Sequence, residues 1–517
     1  MKKIVMLIIM IGLLAVVLLA CSDESAIKEQ NAEETMTKDE KTEDSLVESE
    51  SDGKVIFTIE AVEGQWQYSS DQVATAWMYN GKLPGEEIRV NEGDEVELHF
   101  LNSLPVTTAL HLHGLPITNE MDGVPGVTQN VIQPGEEFVY SFKATLPGTY
   151  WYHSHDNSAE QLFRGMYGAI IVEETNKKDY AIDQTVFISE WSAMMEDMYQ
   201  NADPDENAHG GHGAHGESTT EDSDETNNST EMNSTEMPHN EMMDEMFDTV
   251  VINGKAGAEI NDIVVAEGDS IRLRFINSGL YTQTIVIPNH EFKVTHYDGQ
   301  PVNEPTLISS HSVLIAPGER YDVEIDLNNP GAWGIEIFAE KNKEKLATVL
   351  PIVYQGHEDD RLEVNGGPLT TFAMTNYGQS KQIELINQVT KDYQMVLDSN
   401  DGDETFTIND KKAPDLEVYE FEAGDVVKMT VTNESGVDHP MHSHGHLFYV
   451  ISKNGVAVTG SPILKDTLNV KPDETYEIVF IADNPGKWVF HCHELHHADG
   501  GMIALIDYPE YEADFQN

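Results

Sequence analysis

The sequence predicts an all-β protein of three consecutive β-sandwich domains, and two internal repeats carry that expectation. The first is an acidic turn leading into a strand: NEGDEVELHFLN, AEGDSIRLRFIN and AGDVVKMTVTN, with Asp94 and Asn102, Asp269 and Asn277, and Asp425 and Asn433 each eight residues apart. Alternating apolar and polar residues mark a strand with one buried face. The second repeat is a pair of proline turns. Pro134, Pro317 and Pro472 open PGE, PGE and PDE, and thirteen residues later Pro147, Pro330 and Pro485 each open PG. TYWYHSH, AWGIEIF and KWVFHCH follow, so each unit closes on a comparable strand. Length agrees, since single cores stop growing near about 250–300 residues and this chain has 517.

Residues 1–20 read as an export signal, with Lys2 and Lys3 before an apolar run from Ile4 to Leu19. The run ends in LLAC and resembles a bacterial lipoprotein signal. Cys21 is then expected to carry a lipid and to hold the protein at the outer face of the cytoplasmic membrane; an uncleaved anchor helix is the alternative. No Arg-Arg pair precedes the run, so the chain is expected to cross unfolded and to take up metal outside. Residues 21–54, rich in Glu, Asp, Ser and Lys, read as a disordered tether.

The three domains then occupy 55–176, 177–355 and 356–517. An acidic insertion at about 194–246 interrupts the second. It reads as a disordered loop, yet it holds Met194, Met195, Met198, Met232, Met237, Met242, Met243 and Met246 with His209, His212, His215 and His239. Thioether and imidazole are ligands for soft Cu(I). Across the chain 91 acidic residues face 30 basic ones, a net charge of −61. That excludes nucleic acid as a partner, which demands a basic face, and favours attraction of cations.

The chemistry lies in four histidine clusters: HLHG at His111, HSH at His153, HPMHSHGH at His439 and HCHELHHADGGM at His491. In a strand, side chains at i and i+2 project to one face about 6.6 Å apart. Each H-x-H therefore presents two imidazoles together, and in HCH the Cys492 sulfur points the other way from His491 and His493. The chain has two cysteines, so Cys492 has no disulfide partner within the folded part. Its sulfur can be completed by His439, His497 and a weak axial Met502, the ligand set of blue-copper electron-transfer sites. Zinc accepts four ligands too, but a structural zinc has no use for a weak Met or for six further paired imidazoles.

These motifs, in this order and at these spacings, resemble the multicopper oxidases over roughly residues 55–510. The resemblance implies cupredoxin-like Greek-key sandwiches and four copper ions. It implies a type 1 copper at His439, Cys492, His497 and Met502, and a type 2 copper at His111 and His442. A type 3 pair falls to His113, His153, His155, His444, His491 and His493. Asp122, in TNEMDGVPG, matches the family's acid near the three-copper cluster. Bacterial metal-oxidising members often carry Glu directly after the second type 1 His, but Ala498 stands there. Asp499 or Glu494 is the expected substitute as a second proton donor. His446 and His496 lie inside motifs without ligand positions and are expected beside the ligands or in solvent. His99, His290, His296, His311 and His357 are expected as ordinary surface or core residues.

The implied activity is oxidation of a donor, one electron at a time, coupled to four-electron reduction of O₂ to water through Cys492. The Met/His insertion favours Cu(I) as donor, in copper tolerance. A laccase-like oxidase of phenols or other small organic donors is the rival within the family. A copper-sequestering protein is the rival outside it, although storage needs no alternating Cys–His path. A copper nitrite reductase would lack the full set of H-x-H pairs. A monomer is expected.

Overall fold

The computed structural model of the protein describes residues 49–51, 53–191, 247–342, 345–400 and 405–511. The export signal, Cys21, most of the tether and the Met/His insertion lie outside the described residues. The end of the expected tether is not free chain. Ser49–Ser51 pairs antiparallel with Lys54–Ile56, across a turn in which Gly53 takes φ +82°.

The chain forms three cupredoxin-type sandwiches. One topological step recurs in each: the first long strand lies parallel to the strand of the acidic repeat. Lys54–Ala61 runs beside Glu95–Asn102, Ile182–Ile188 beside Ile271–Asn277, and Lys391–Leu397 beside Val427–Asn433. In the first sandwich the opposing sheet runs Gly85–Asn91, Tyr167–Glu173, Gly148–Ser154, Leu110–His113. Phe57, Ile59, Val96 and Leu98 from one sheet meet Ile88, Val90, Ile170 and Val172 from the other in one core. The stretch after Tyr354 stays on the second sandwich, where Thr370 and Thr371 pair parallel with His311 and Ser312.

The repeats in the sequence are hydrogen-bond devices. Asp94, Asp269 and Asp425 each accept from the backbone N–H three residues earlier, at 2.7, 2.8 and 2.9 Å, which closes the turn before the strand. The strand ends on a buried Asn. Asn102 Nδ2 donates to the carbonyls of Val106 and Ile132, Asn277 Nδ2 to Tyr281 and Ile315, and Asn433 Nδ2 to Val437 and Val470. Each Oδ1 accepts from the N–H two residues on. One side chain thus satisfies three backbone groups in a loop that no strand can pair. The closing strands share a second device: Tyr150 Oη, Trp333 Nε1 and Trp488 Nε1 each donate to the carbonyl four residues earlier.

The alternation in SIRLRFIN assigns Arg272 and Arg274 to the outward face, yet both are buried. That face meets the first sandwich. Arg274 makes a two-pronged bond to Asp183 at 2.5 and 2.7 Å and donates to Thr149 Oγ1 at 2.8 Å, while Arg272 reaches Asp322 at 2.5 Å. Guanidinium is the cation best suited to such a dry interface, because its planar fork satisfies both carboxylate oxygens.

Asn277→Ala strands two carbonyls and one N–H in a buried loop. We expect it to destabilise the second sandwich by about 1–3 kcal/mol per unsatisfied group at most, measured by chemical denaturation followed through tryptophan fluorescence.

Candidate metal centre

Two strand pairs carry the histidines at the same register. His111 lies opposite His153 in the first sandwich, and His442 lies opposite His491 in the third. The second sandwich has this frame too, with Val286 opposite Glu336. An apolar residue and a carboxylate bonded to the backbone N–H groups of Asn365 and Gly366 replace the imidazoles there. That is why this strand pair of the middle unit offers no imidazole.

The first and third sandwiches face one another across a seam, and their rings interleave in crossed order. His111 packs on His444 with centroids 4.1 Å apart, and His113 stacks on His442 at 3.7 Å. Likewise His153 meets His493 and His155 meets His491, each at 5.3 Å. First therefore pairs with last, as two H-x-H motifs related by an approximate two-fold axis require. All eight residues are buried.

Hydrogen bonds fix which nitrogen of each ring carries the proton. Nδ1 of His111 donates to the Asp122 carbonyl at 2.7 Å, His153 to the Ser154 carbonyl at 2.8 Å and His491 to the Cys492 carbonyl at 2.8 Å. His442 Nδ1 meets the Asp466 carbonyl at 3.1 Å, and His444 Nδ1 meets Asp122 Oδ2 at 3.0 Å. His113 is turned over, its Nε2 donating to Asp466 Oδ1 at 3.2 Å and its Nδ1 left inward. Since these acceptors take the protons, the inward nitrogens bear lone pairs. His111 Nε2, His153 Nε2 and His442 Nε2 are buried without a partner, as are both nitrogens of His493.

His444 Nε2 and His491 Nε2 face one another at 3.0 Å. Two lone pairs at that distance repel unless a cation lies between or beside them. Burial drives His113, His153, His442, His444 and His493 below the ordinary imidazole range, with the neighbouring rings adding to it in each case and Asp466 opposing the shift at His442. Protonation is therefore a poor remedy, whereas neutral imidazoles with their outer N–H groups tied to oxygens are the form that binds transition metals. The residues fit copper ions.

The second constellation lies on the opposite face of the HCH strand. Cys492 Sγ is 3.7 Å from His439 Nδ1 and 3.6 Å from His497 Nδ1. Both outer nitrogens are held: Ser435 Oγ takes His439 Nε2 at 2.7 Å, and Glu494 Oε2 takes His497 Nε2 at 2.9 Å. Glu494 also caps the Leu495–Asp499 helix through the N–H groups of His496 and His497. Phe406 stacks on the His497 ring at 4.0 Å. Met502 is fully buried, and its carbonyl accepts from Cys492 N–H at 3.1 Å. Burial pushes the Cys492 thiol well up, so a bound cation is what would displace its proton.

Asp122 is buried at the seam, bonded to one histidine from each side. Asp499 ends the helix with an exposed side chain, and among the described residues no hydrogen bond joins it to a ligand. His446 is buried against Tyr508 Oη at 2.7 Å, and His496 pairs with Glu494 at 3.0 Å. His290 and His296 are buried, while His99, His311 and His357 lie nearer the surface.

Sequence reasoning missed Arg320 and Asp466. Arg320, from the second sandwich, grips Asp466 of the third at 2.6 and 2.7 Å, and Asp466 in turn holds His113 of the first and His442. Burial alone would raise the Asp466 carboxyl, but Arg320 holds it well below the usual range. One signal was present: Gly114 of HLHG sits at φ +82°, and any Cβ there would collide with the Arg320 guanidinium and the Asp466 carboxylate.

Profiles of the multicopper oxidase family match residues 60–177, 216–357 and 385–510. Multicopper oxidase MmcO of Mycobacterium tuberculosis is 30% identical over 84% of this chain and 84% of its own length. Iron transport multicopper oxidase fio1 of Schizosaccharomyces pombe is 28% identical over 83% of this chain and 72% of its own. Among solved structures, Fet3p, a multicopper oxidase that functions in iron import, superposes with TM-score 0.69 at 21% identity, covering 88% of this chain and 90% of that one.

Arg320→Met leaves the Asp466 carboxylate buried without its cation. The expected cost is about 3–5 kcal/mol of stability and about 10–100-fold weaker metal retention, measured by thermal unfolding and by competition with a chelator.

Proposed function

The chain belongs to the multicopper oxidase family, copper-dependent oxidoreductases that use O₂ and carry four copper ions, and on that premise we propose that its donor is Cu(I) and its role is copper tolerance. The observation that carries this reading is where the Met/His-rich segment is rooted. It leaves the strand Ile182–Trp191 and returns at Phe247, next to Thr249–Ile252, which pairs with that strand. The Phe247 ring packs on Phe163 at 5.0 Å and beside His496 at 6.3 Å, one residue from His497. The segment's return point thus lies at the helix that carries a ligand of the sulfur site. A net charge of −61 adds a general attraction for cations.

We assign His439, Cys492, His497 and Met502 as the residues that would hold the type 1 copper. His111 and His442 hold the type 2 ion, and His113, His153, His155, His444, His491 and His493 hold the type 3 pair. Bound copper would supply the redox chemistry, taking electrons singly from the donor and delivering four of them to O₂. The chain supplies the path. Cys492 is flanked by His491 and His493, and its own carbonyl accepts from His491 Nδ1.

Asp122 is the acid we assign to proton delivery, since its carboxylate is in contact with His444. Glu494 commits its oxygens to His497 and the helix cap, which makes it a positioning residue. A cavity of about 250 Å³ along the seam reaches buried Ser443 and Asp466 from exposed Asp483, and we assign it to the passage of O₂ and water. In the same reading the protein works outside the cytoplasmic membrane, tethered through lipid on Cys21.

Cys492→Ser should abolish the intense visible blue band and all oxidase turnover while leaving the fold intact by circular dichroism. A surviving blue band would overturn the type 1 assignment.

Deleting residues 199–245 should raise KM or lower kcat for Cu(I) and leave phenol oxidation unchanged, because thioether selects the softer ion. The assay belongs at fixed high ionic strength, where general electrostatic attraction is screened. Equal loss for Cu(I) and phenols, or no change for either, rejects the Cu(I) role of this segment.

A further inference from the structure

The backbone frame around Cys492 occurs a second time, around Ser154. Cys492 N–H donates to the Met502 carbonyl, and Ser154 N–H donates to the Met166 carbonyl. Met502 N–H donates to His497, as Met166 N–H does to Gln161; His493 N–H donates to Pro440, as His155 N–H does to Ala109. Gly501 at φ +114° is matched by Gly165 at +113°. His439 stands six residues after buried Asn433, and Thr108 stands six after buried Asn102. His491 Nδ1 and His153 Nδ1 each donate, at 2.8 Å, to the carbonyl of the residue that follows. Thr108, Ser154, Gln161 and Met166 therefore occupy the places of His439, Cys492, His497 and Met502.

The first sandwich fills this frame with hydrogen bonds where the third fills it with metal ligands. Gln161 Oε1 accepts from Thr108 Oγ1 at 2.7 Å and from Ser154 Oγ at 2.5 Å, and Gln161 Nε2 donates to the Thr107 carbonyl at 2.8 Å. All three residues are buried. In HCH, a metal bond to the middle side chain would fix the strand so that the outer imidazoles converge on the cluster. HSH presents two imidazoles to the same cluster with no metal behind its middle residue. Something else must hold Ser154, and Gln161 is the group that does.

We infer that Thr108, Ser154 and Gln161 form a metal-free counterpart of the type 1 centre that positions His153 and His155 for the type 3 copper pair. The inference rests on the type 3 assignment above. Gln161 and Thr108 are positioning residues: neither reaches the cluster, and both act through Ser154.

The test uses the full copper-loaded chain and reads metal content and optical spectra alongside turnover. Gln161→Leu should retain the blue band and the fold, lose the near-ultraviolet absorption of the coupled type 3 pair, and fall from four copper ions per chain to about two, as expected for a 10–100-fold loss of affinity when an outer partner of a ligand is removed. Because Gln161→Leu also strands the Thr107 carbonyl, the isosteric Thr108→Val is the second variant, with Thr108→Ser restoring what Thr108→Val loses. Four copper ions and an unchanged type 3 spectrum in both Gln161→Leu and Thr108→Val overturn the inference. Loss of the blue band in parallel with the type 3 signal, with a lowered Tm, also overturns it, since a merely structural role predicts that pattern. His155→Ala is the control for the assignment beneath: if it keeps four copper ions and normal O₂ consumption, the type 3 reading itself fails.

Discussion

The ion pair between Arg320 and Asp466 is the constraint on which the rest of the centre depends. The second sandwich supplies the guanidinium, the third supplies the carboxylate, and the first supplies His113, which the same carboxylate holds. A buried pair of this kind adds little net stability, because desolvating both charges offsets much of their attraction. Its value lies in direction. Guanidinium fixes both carboxylate oxygens in one plane, which leaves Oδ1 aimed at His113 and the Asp466 backbone carbonyl aimed at His442. Lys465, Asp298 and Glu319 extend the network, with Lys465 Nζ 3.0 Å from Asp298 and 3.1 Å from Glu319. The second sandwich, whose strand pair lacks the paired histidines, thus ties the other two together through one side chain.

Much of this was legible in the sequence, and the legible part has a common physical character. The Asp–Asn and proline repeats are local devices, each closing hydrogen bonds within a loop or turn, so their spacing survives in all three units. The H-x-H pairs were legible because strand geometry alone puts two imidazoles on one face. Long-range partners were not. Arg320 and Asp466 carry no motif, since nothing local requires them; each is defined by a group that the fold brings from elsewhere in space. Arg272 and Arg274 show the same limit, for alternation marks which face a side chain takes and is silent on whether that face meets water or another domain.

Glu494 and Asp499 divide along the same line. Both are acids beside the type 1 motif, and from spacing alone either could stand for the missing Glu at Ala498. The helix separates them. Glu494 sits at its N-cap, where the free N–H groups attract a carboxylate, and so becomes tied to His497. Asp499 falls at the far end, facing outward. A difference of five positions in the sequence becomes a difference between an orienting group and an outward-facing acid.

The crossed pairing of His111 with His444 and of His113 with His442 makes the cluster a clasp. Neither sandwich owns a complete set of ligands, so metal can be held tightly only while the two are docked, and docking is favoured in turn by each ion that binds. Copper is therefore part of the quaternary-like architecture of a single chain. Each ion bridging the two sandwiches would add its own binding free energy to the docking that the Arg320–Asp466 pair already directs.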